Sequence, residues 1–264
     1  MHFLGLSVVH DGMAVPIVWP FLPKQGHADT RERLGWLNHF SAVCGAHKIE
    51  WLLADRAFIG AQGFAYVKAH HIRCRIRMKS HLHVSRTHGP FAPALNVFRS
   101  VPVSTSCTFL GPRLLGGHGL GVTGRRLSSG EDVIRVSNDA SEPVREAYKK
   151  RGKIEVLFQA LQARGLNFEA THFKDEERLK TLWSVLAIAF CWADHVGAWR
   201  HGVKPIRIKK HQRPAKSILR YGCDWMRQAV LNPADKRDQL PHVLSLLWDA
   251  LTAPRSHVYQ LYLM

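Results

Sequence analysis

The sequence predicts an α/β fold interrupted by a mostly β insertion. Three observations predict it. Apolar runs near the N-terminus alternate between strand-like and helix-like spacing. From about 79 to 140 the chain changes to short β-like pieces among Gly and Pro. A long helical pattern, 141–165, follows. Hairpin, helix, strand, helix, strand and a later helix is α/β order.

The elements read in order as follows. "FLGLSVV" (3–9) and "MAVPIVWPFL" (13–22) flank "HDG" as a hairpin, and Pro16 places the second strand at an edge or a bulge. "HADTRERLGWLNHFSAV" (27–43) is a helix: Asp29 and Glu32 have capping-box spacing, and Leu34, Leu37 and Phe40 have helical spacing. A strand at 49–55, a helix at 60–70 and a strand at 72–78 come next. Within the insertion, "LNVFRSVPV" and "DVIRVSN" read as β. In "SEPVREAYKKRGKIEVLFQALQARG" (141–165) Ser141 caps, Pro143 sits in the first turn and Gly165 ends the helix. A core helix follows at 178–199, then a basic, Pro-broken stretch at 199–220. "DWMRQAV" and "PHVLSLLWDALT" read as the last helices. There is no internal repeat.

At 264 residues the chain makes one large domain or two small ones. Its 46% hydrophobic content is ordinary, but 37 Lys and Arg against 20 Asp and Glu give +17. Such an excess points to a polyanionic partner, nucleic acid first and an acidic membrane surface second. Five scattered cysteines without CxxC pairing argue against a disulfide framework or a zinc site, and predict reduced, mostly buried thiols of a cytoplasmic protein. "HH" (70–71) and "HLH" (81–83) lack partners at ligand spacing and read as solvated surface. No basic leader precedes an apolar core at the N-terminus. The apolar stretch 182–199 is broken by Asp194 and His195, short of the ~20 residues a span needs, so it reads as a core helix and no membrane partner is expected.

On the long helix, rotation of about 100° per residue puts Tyr148, Arg151, Glu155 and Gln162 on one narrow face. Ile154, Leu157, Phe158 and Leu161 form an apolar stripe roughly 110° away. Any amphipathic surface helix shows polar residues off its stripe. What distinguishes this one is an acid beside a phenol and a guanidinium, with Lys149, Lys150 and Lys153 close by.

"YKKRGKIEVLF" resembles the Tyr-x2-Arg-x3-Glu signature of bacterial insertion-sequence transposases of the DDE type, in the Tyr-Arg-Glu-Lys signature group of insertion sequence family four. "LLADRAFIG" resembles their second-aspartate strand. "MAVPIVWPFLPKQGHADTRER", "NFEATHFKDEERLKTLWSVLAIAF" and "KPIRIKKHQRPAKSILRYG" are also typical of that group, so the resemblance runs from about residue 3 to about 230. It implies a ribonuclease-H-like fold, a mixed sheet with flanking helices. Three acids there hold two Mg²⁺ ions, for which Mn²⁺ can substitute, and activate water or a 3′-hydroxyl against a DNA phosphodiester. Paired divalent ions stabilise the attacking and leaving oxygens, and Mg²⁺ accepts a few hard carboxylate ligands. By the match Asp55 is the second acid and Glu155 the third. Both are catalytic metal ligands, while Tyr148 and Arg151 grip a DNA phosphate. The partners implied are double-stranded DNA, both transposon ends and target, and a second copy in a synaptic dimer.

The chain departs from the family pattern in several places. The first acid belongs on a strand before the hairpin, between the hairpin and the Asp55 strand. Asp11, Asp29, Glu32 and Glu50 are the only acids ahead of Asp55, and none sits at the end of a buried strand. The match begins abruptly at Met1, so the expectation is a truncated reading frame, a mis-called start or a pseudogene product, with the first strand missing. Two interior sheet edges would then be unpaired or forced together, at about 1–3 kcal/mol per buried unpaired group. Gln162 stands where the signature has Lys, and Gly152 where relatives carry Trp. The insertion has no Trp to stack on a flipped base. Phe91, Phe98 or Phe109 is available there, each reading equally well as a core residue.

The basic segment supplies Arg207, Lys209, Lys210, Arg213 and Lys216, read either as DNA contacts or as solvated loop. The domains expected are 1–78 as the first part of the core, 79–140 as the insertion, 141–200 as the Glu helix and core helix, and 201–264 as the basic segment and last helices. Three functions remain: a DNA transposase impaired by the absent first Asp, an inactive remnant that binds DNA or co-assembles with an intact copy, and, last, a nuclease of the same fold unrelated to transposition.

Overall fold

The computed structural model describes residues 2–3, 5–10, 13–18, 21–22, 28–54, 56–85, 90–109, 111–139, 157, 175–210, 212–252 and 259–263. The chain forms two compact units. One comprises 1–12, 16–153 and 257–264, and the other 13–15 and 154–256.

The first unit holds a mixed sheet. Its strands are β2 (Leu6–His10), β3 (Met13–Val18), β5 (Ile49–Ala54), β6 (Arg73–Met78), β9 (Ser106–Thr108), β10 (Arg113–Leu115), β11 (His118–Arg126), β12 (Asp132–Ser137) and β13 (Tyr259–Leu263). The order is β10-β11-β12-β6-β5-β13-β2-β3, with β9 also beside β11. The short pairs β1 (His2–Phe3) with β4 (Phe21–Leu22), and β7 (His83–Val84) with β8 (Ala92–Pro93), stand apart from it. β3 ends the sheet order, so Pro16 lies on an edge strand, as expected.

β5 has parallel neighbours on both sides, β13 and β6. A strand covered on both faces reads as a continuous apolar run, and "IEWLLA" buries every residue but Glu50. β6 alternates instead. Cys74, Ile76 and Met78 enter the core, while Arg73, Arg75 and Arg77 take the other face. Over the apolar face lie α1 (Thr30–Cys44), through Leu37 and Phe40, and α2 (Ala61–Ala69), through Phe64 and Val67. Burying each such side chain is worth about 1.5–3 kcal/mol. The predicted capping box starts α1: the Asp29 carboxylate accepts from the Glu32 N–H at 2.9 Å and Glu32 accepts from the Asp29 N–H at 2.7 Å.

The place between the hairpin and β5 is neither empty nor closed up. β13 fills it, antiparallel to β2 (Leu261 opposite Val8) and parallel to β5 (Leu261 opposite Leu52). Its ladder satisfies both interior edges that the sequence leaves without a partner. "YQLYL" carries no breaker, yet it follows Pro254 and a helix and has no hairpin partner nearby. Only a long-range pairing makes it a strand.

The insertion joins the same sheet. β12 pairs with β6 and β11 with β12, both antiparallel. "LNVFRSVPV", expected as β, instead contains the helical turn α3 (Ala94–Val97), which seats Phe98 in the core at 1% exposure. Tertiary burial overrides the local β-branched content here.

In the second unit, α4 (Glu176–Val203) packs against α5 (Ile218–Leu231) and α7 (Leu240–Thr252), with the short α6 (Pro233–Lys236) between the last two. At 28 residues α4 exceeds the stretch read from the sequence, and by length and composition alone it is sufficient to cross a membrane. Its buried residues Leu179, Trp183, Ala187, Phe190, Ala193 and Val196 nevertheless form the single stripe of a bundle helix. α5 starts at Ile218, inside the stretch read as Pro-broken, because the Ser217 side chain accepts from the Arg220 N–H. α4 and α5 cross at glycines. A Cβ on Gly222 would stand 1.7 Å from the Ala193 carbonyl oxygen.

Candidate functional site

Asp55 follows Ala54, the last described residue of β5, which is paired on one side with Leu263 and on the other with Ile76. Because β5, β6 and β13 are parallel, their C-terminal ends share one edge of the sheet. That edge is where open α/β sheets present functional groups. A single 3₁₀ turn, Arg56–Phe58, follows, with Phe58 buried as its anchor and Arg56 exposed.

The polar face of β5 and β6 is organised around Trp51. The Arg75 guanidinium lies 4.0 Å from the centre of its ring and that of Arg73 lies 5.0 Å away. Arg75 is fully buried. Stacking on an indole suits guanidinium better than ammonium, because guanidinium is planar and weakly hydrated. Arg73 also approaches Glu50 at 3.8 Å and Asp139 at 3.7 Å. Next to it, Asn138 takes the part of a strand. Its Oδ1 accepts from the Cys74 N–H at 2.7 Å and its Nδ2 donates to the Ile72 carbonyl at 2.8 Å. The side chain completes the ladder where the main chain leaves β12, three residues before the 141–165 stretch that carries Glu155. Arg73, Arg75 and Arg77 are not among the residues that the motifs pick out. The alternation in "RCRIRM" is the signal that marks them.

The basic segment forms a tight turn. Ile208 bridges Pro214, the Lys209 N–H donates to the Arg213 carbonyl at 2.9 Å, and the Ala215 N–H to that of Arg207 at 2.8 Å. The turn presents Arg207, Lys209, Lys210 and Arg213 as exposed side chains. The Ile206 N–H donates to His201 Nδ1 at 3.0 Å, and the Tyr221 hydroxyl to the Lys204 carbonyl at 3.1 Å, holding its base. Lys216 does not join this display. Its ammonium lies 2.5 Å from the Asp224 carboxylate, which also receives Arg220 at 2.9 Å.

Asp55, Tyr148, Lys149, Lys150, Arg151, Lys153, Glu155 and Gln162 lie outside the described residues. Leu157, one residue of the predicted apolar stripe, is described: it is helical and fully buried. Among the described residues no group of three His, Cys, Asp or Glu stands close enough to hold a metal. Asp29 and Glu32 serve as a helix cap, as expected. Of the insertion phenylalanines, Phe98 is buried and stacks on Phe109 at 4.8 Å, whereas Phe91 is 54% exposed. All five cysteines are free, but Cys107 is exposed and only Cys74 is fully buried, a smaller share than expected.

Residues 23–192 match the family described as "Transposase DDE domain", a span that contains Asp55, Tyr148, Arg151, Glu155 and Gln162. No curated protein matches the chain. Among solved structures it is similar to a piggyBac transposase in a synaptic complex with hairpin DNA, at 13% identity and a TM-score of 0.38. That match covers 92% of this chain and 45% of the other's length.

Proposed function

The chain belongs to the family of DDE transposase domains, and from that premise we propose that it acts on DNA, cutting and joining strands at transposon ends. The observation that carries this reading is the family match across 23–192, which takes in both Asp55 and Glu155. Asp55, next in sequence after the last described residue of β5, and Glu155, two residues before the helical Leu157, are the proposed ligands of divalent metal. Their hard oxygens fit Mg²⁺, with Mn²⁺ as a substitute. When bound, such ions supply Lewis-acid activation of the attacking hydroxyl and stabilise the leaving oxygen. Arg151 and Tyr148 hold a phosphate beside the cut, through a guanidinium fork and one phenolic hydrogen bond. Gln162 adds a neutral contact, Lys149, Lys150 and Lys153 add charge, and the exposed ring of Phe91 is available for base stacking. Assignment to a bacterial insertion-sequence group, a synaptic dimer and a cytoplasmic location belong to the same proposal.

A second reading is a DNA-binding remnant without catalysis. One observation favours it: the strand beside β5 is β13, whose residues Tyr259–Leu263 include no carboxylate. A supercoiled-plasmid assay with Mg²⁺ or Mn²⁺ separates the two. Nicking abolished by Asp55→Ala or Glu155→Ala is the outcome expected of the enzyme. DNA binding with no metal-dependent cleavage establishes the remnant.

A further inference from the structure

Four residues form one transverse row on the polar face of the sheet. Thr108 of β9 is opposite Thr123 of β11, Thr123 is opposite Arg135 of β12, and Arg135 is opposite Arg77 of β6. Directly opposed residues share a face. Three strand spacings of about 4.8 Å make the row roughly 14 Å long. We propose that this row is a phosphate track, along which a DNA backbone crosses the sheet toward the end of β5.

Its direction comes from the register. Ile76 pairs with Ala54, so Arg77 is the next residue along β6 as Asp55 is the next after Ala54. The track therefore ends one residue beyond the Ile76–Ala54 pair, at the C-terminal end of β5.

Exposure separates this row from its neighbour on the same face. One step back lie Ser7, Tyr262, Leu53, Arg75 and Ser137, paired in series, and of these Ser7, Leu53, Arg75 and Ser137 are buried. In the proposed track Thr108 is exposed, and Thr123, Arg135 and Arg77 are partly exposed.

Charge supports the same assignment. Two arginines directly opposite each other destabilise a sheet, and a bound anion relieves the repulsion. Among the described residues, Glu131 contacts Arg77, and Asp132 is held by Arg126 at 2.9 Å. The Glu131 side chain is 57% exposed, so its ion pair is of the weak, screened kind that a phosphate displaces. At the far end the Thr108 and Thr123 hydroxyls lie 3.0 Å apart. One donates to the other, which leaves a proton free for a phosphate oxygen. Guanidinium forks and hydroxyls are the groups that position nucleic-acid backbones without reading sequence.

The inference rests on the DNA-binding reading above, and the test distinguishes the two. A fluorescent DNA duplex is titrated with the full chain in EDTA across a salt series, so that cleavage plays no part. Arg77→Gln and Arg135→Gln are each expected to lower the slope of log affinity against log salt by about 0.9. Arg77→Lys and Arg135→Lys retain the slope, and Thr108→Val with Thr123→Val, at accessible positions, weakens binding without changing it. An unchanged slope and affinity in the Arg77→Gln/Arg135→Gln double variant, while Lys209→Gln/Lys210→Gln/Arg213→Gln still loses affinity, overturns the track and leaves the DNA reading standing. Absence of binding by the unaltered chain overturns both.

Discussion

Leu261 and Leu52 are register partners in adjacent parallel strands, and both are fully buried. β13 thereby joins the hairpin side of the sheet to the side that carries β5 and β6. Leu261→Ala is expected to cost about 2–5 kcal/mol, as large-to-small changes in packed cores do. A urea titration showing a lower midpoint at unchanged slope checks this. A midpoint within error of the unaltered chain would mean that β13 does not hold the sheet together.

Asn138 replaces main-chain ladder bonds with two side-chain bonds, to Cys74 and Ile72. Asn138→Ala is expected to destabilise by about 1–3 kcal/mol, because the Cys74 N–H of β6 and the Ile72 carbonyl just before it lose their bonds. Asn138→Asp retains the acceptor for the Cys74 N–H but sets a carboxylate oxygen against the Ile72 carbonyl, so it should not rescue stability. Thermal melts of both variants read the difference.

The crossing of α4 and α5 has no room for a side chain at Gly222. Gly222→Ala forces the helices apart and is expected to cost at least about 1–3 kcal/mol, the usual range for overpacking. Gly202, which has nothing within 4 Å of an added Cβ, is the control. Gly202→Ala should leave the melting temperature unchanged or raise it.

Alkaline pH should destabilise the chain. Burial pushes the thiol of Cys74 up to about 12, against the opposing hydrogen bond with Asn138, and burial with Asp194 does the same to Cys191. The unfolded chain releases these protons near 9.0, the folded chain only near 12. Their contribution is therefore complete below pH 9.0 and declines as pH rises toward 12. The slope is up to about 1.4 kcal/mol per pH unit for each thiol. Urea midpoints of the unaltered chain and Cys74→Ala, compared at about pH 8 and about pH 10.5, should show the shallower decline in the variant.

The turn carrying Arg207, Lys209, Lys210 and Arg213 should contribute sequence-independent DNA affinity. Neutralising Lys209, Lys210 and Arg213 together is expected to lower the salt slope by about 2.7. The same change at Lys216, already engaged by Asp224, should lower it little. Equal effects at Lys216 and Lys209 would remove the distinction that the ion pair makes.

Local signals in the sequence lead to the first half of the core. The Asp29–Glu32 spacing marks the start of α1, and the apolar run at 49–55 marks a strand buried on both faces. Alternation in 132–137 marks β12, whose place beside β6 only the fold reveals. Where the sequence misleads, the decisive contact is remote. Ser217 starts α5 within a stretch rich in Lys, Arg and Pro, and α3 forms because Phe98 is drawn into the core. Tyr259–Leu263 is a strand only because β2 and β5, distant in sequence, supply its partners. For the site, charge counting finds the exposed turn at 207–213, but the opposition of Arg77 and Arg135 depends on register, which no linear pattern encodes.

The position of β13 also governs when the protein can fold. Among the described strands it follows both of its neighbours in chain order, yet it lies inside the sheet between them. During synthesis β2 and β5 leave the ribosome long before their shared neighbour exists, with apolar faces and open edges exposed to other nascent chains. Completion of the sheet thus waits on a pairing of high contact order, slow and prone to aggregation. In the cell, chaperone capacity therefore bears on the yield of the folded protein as directly as its final stability does.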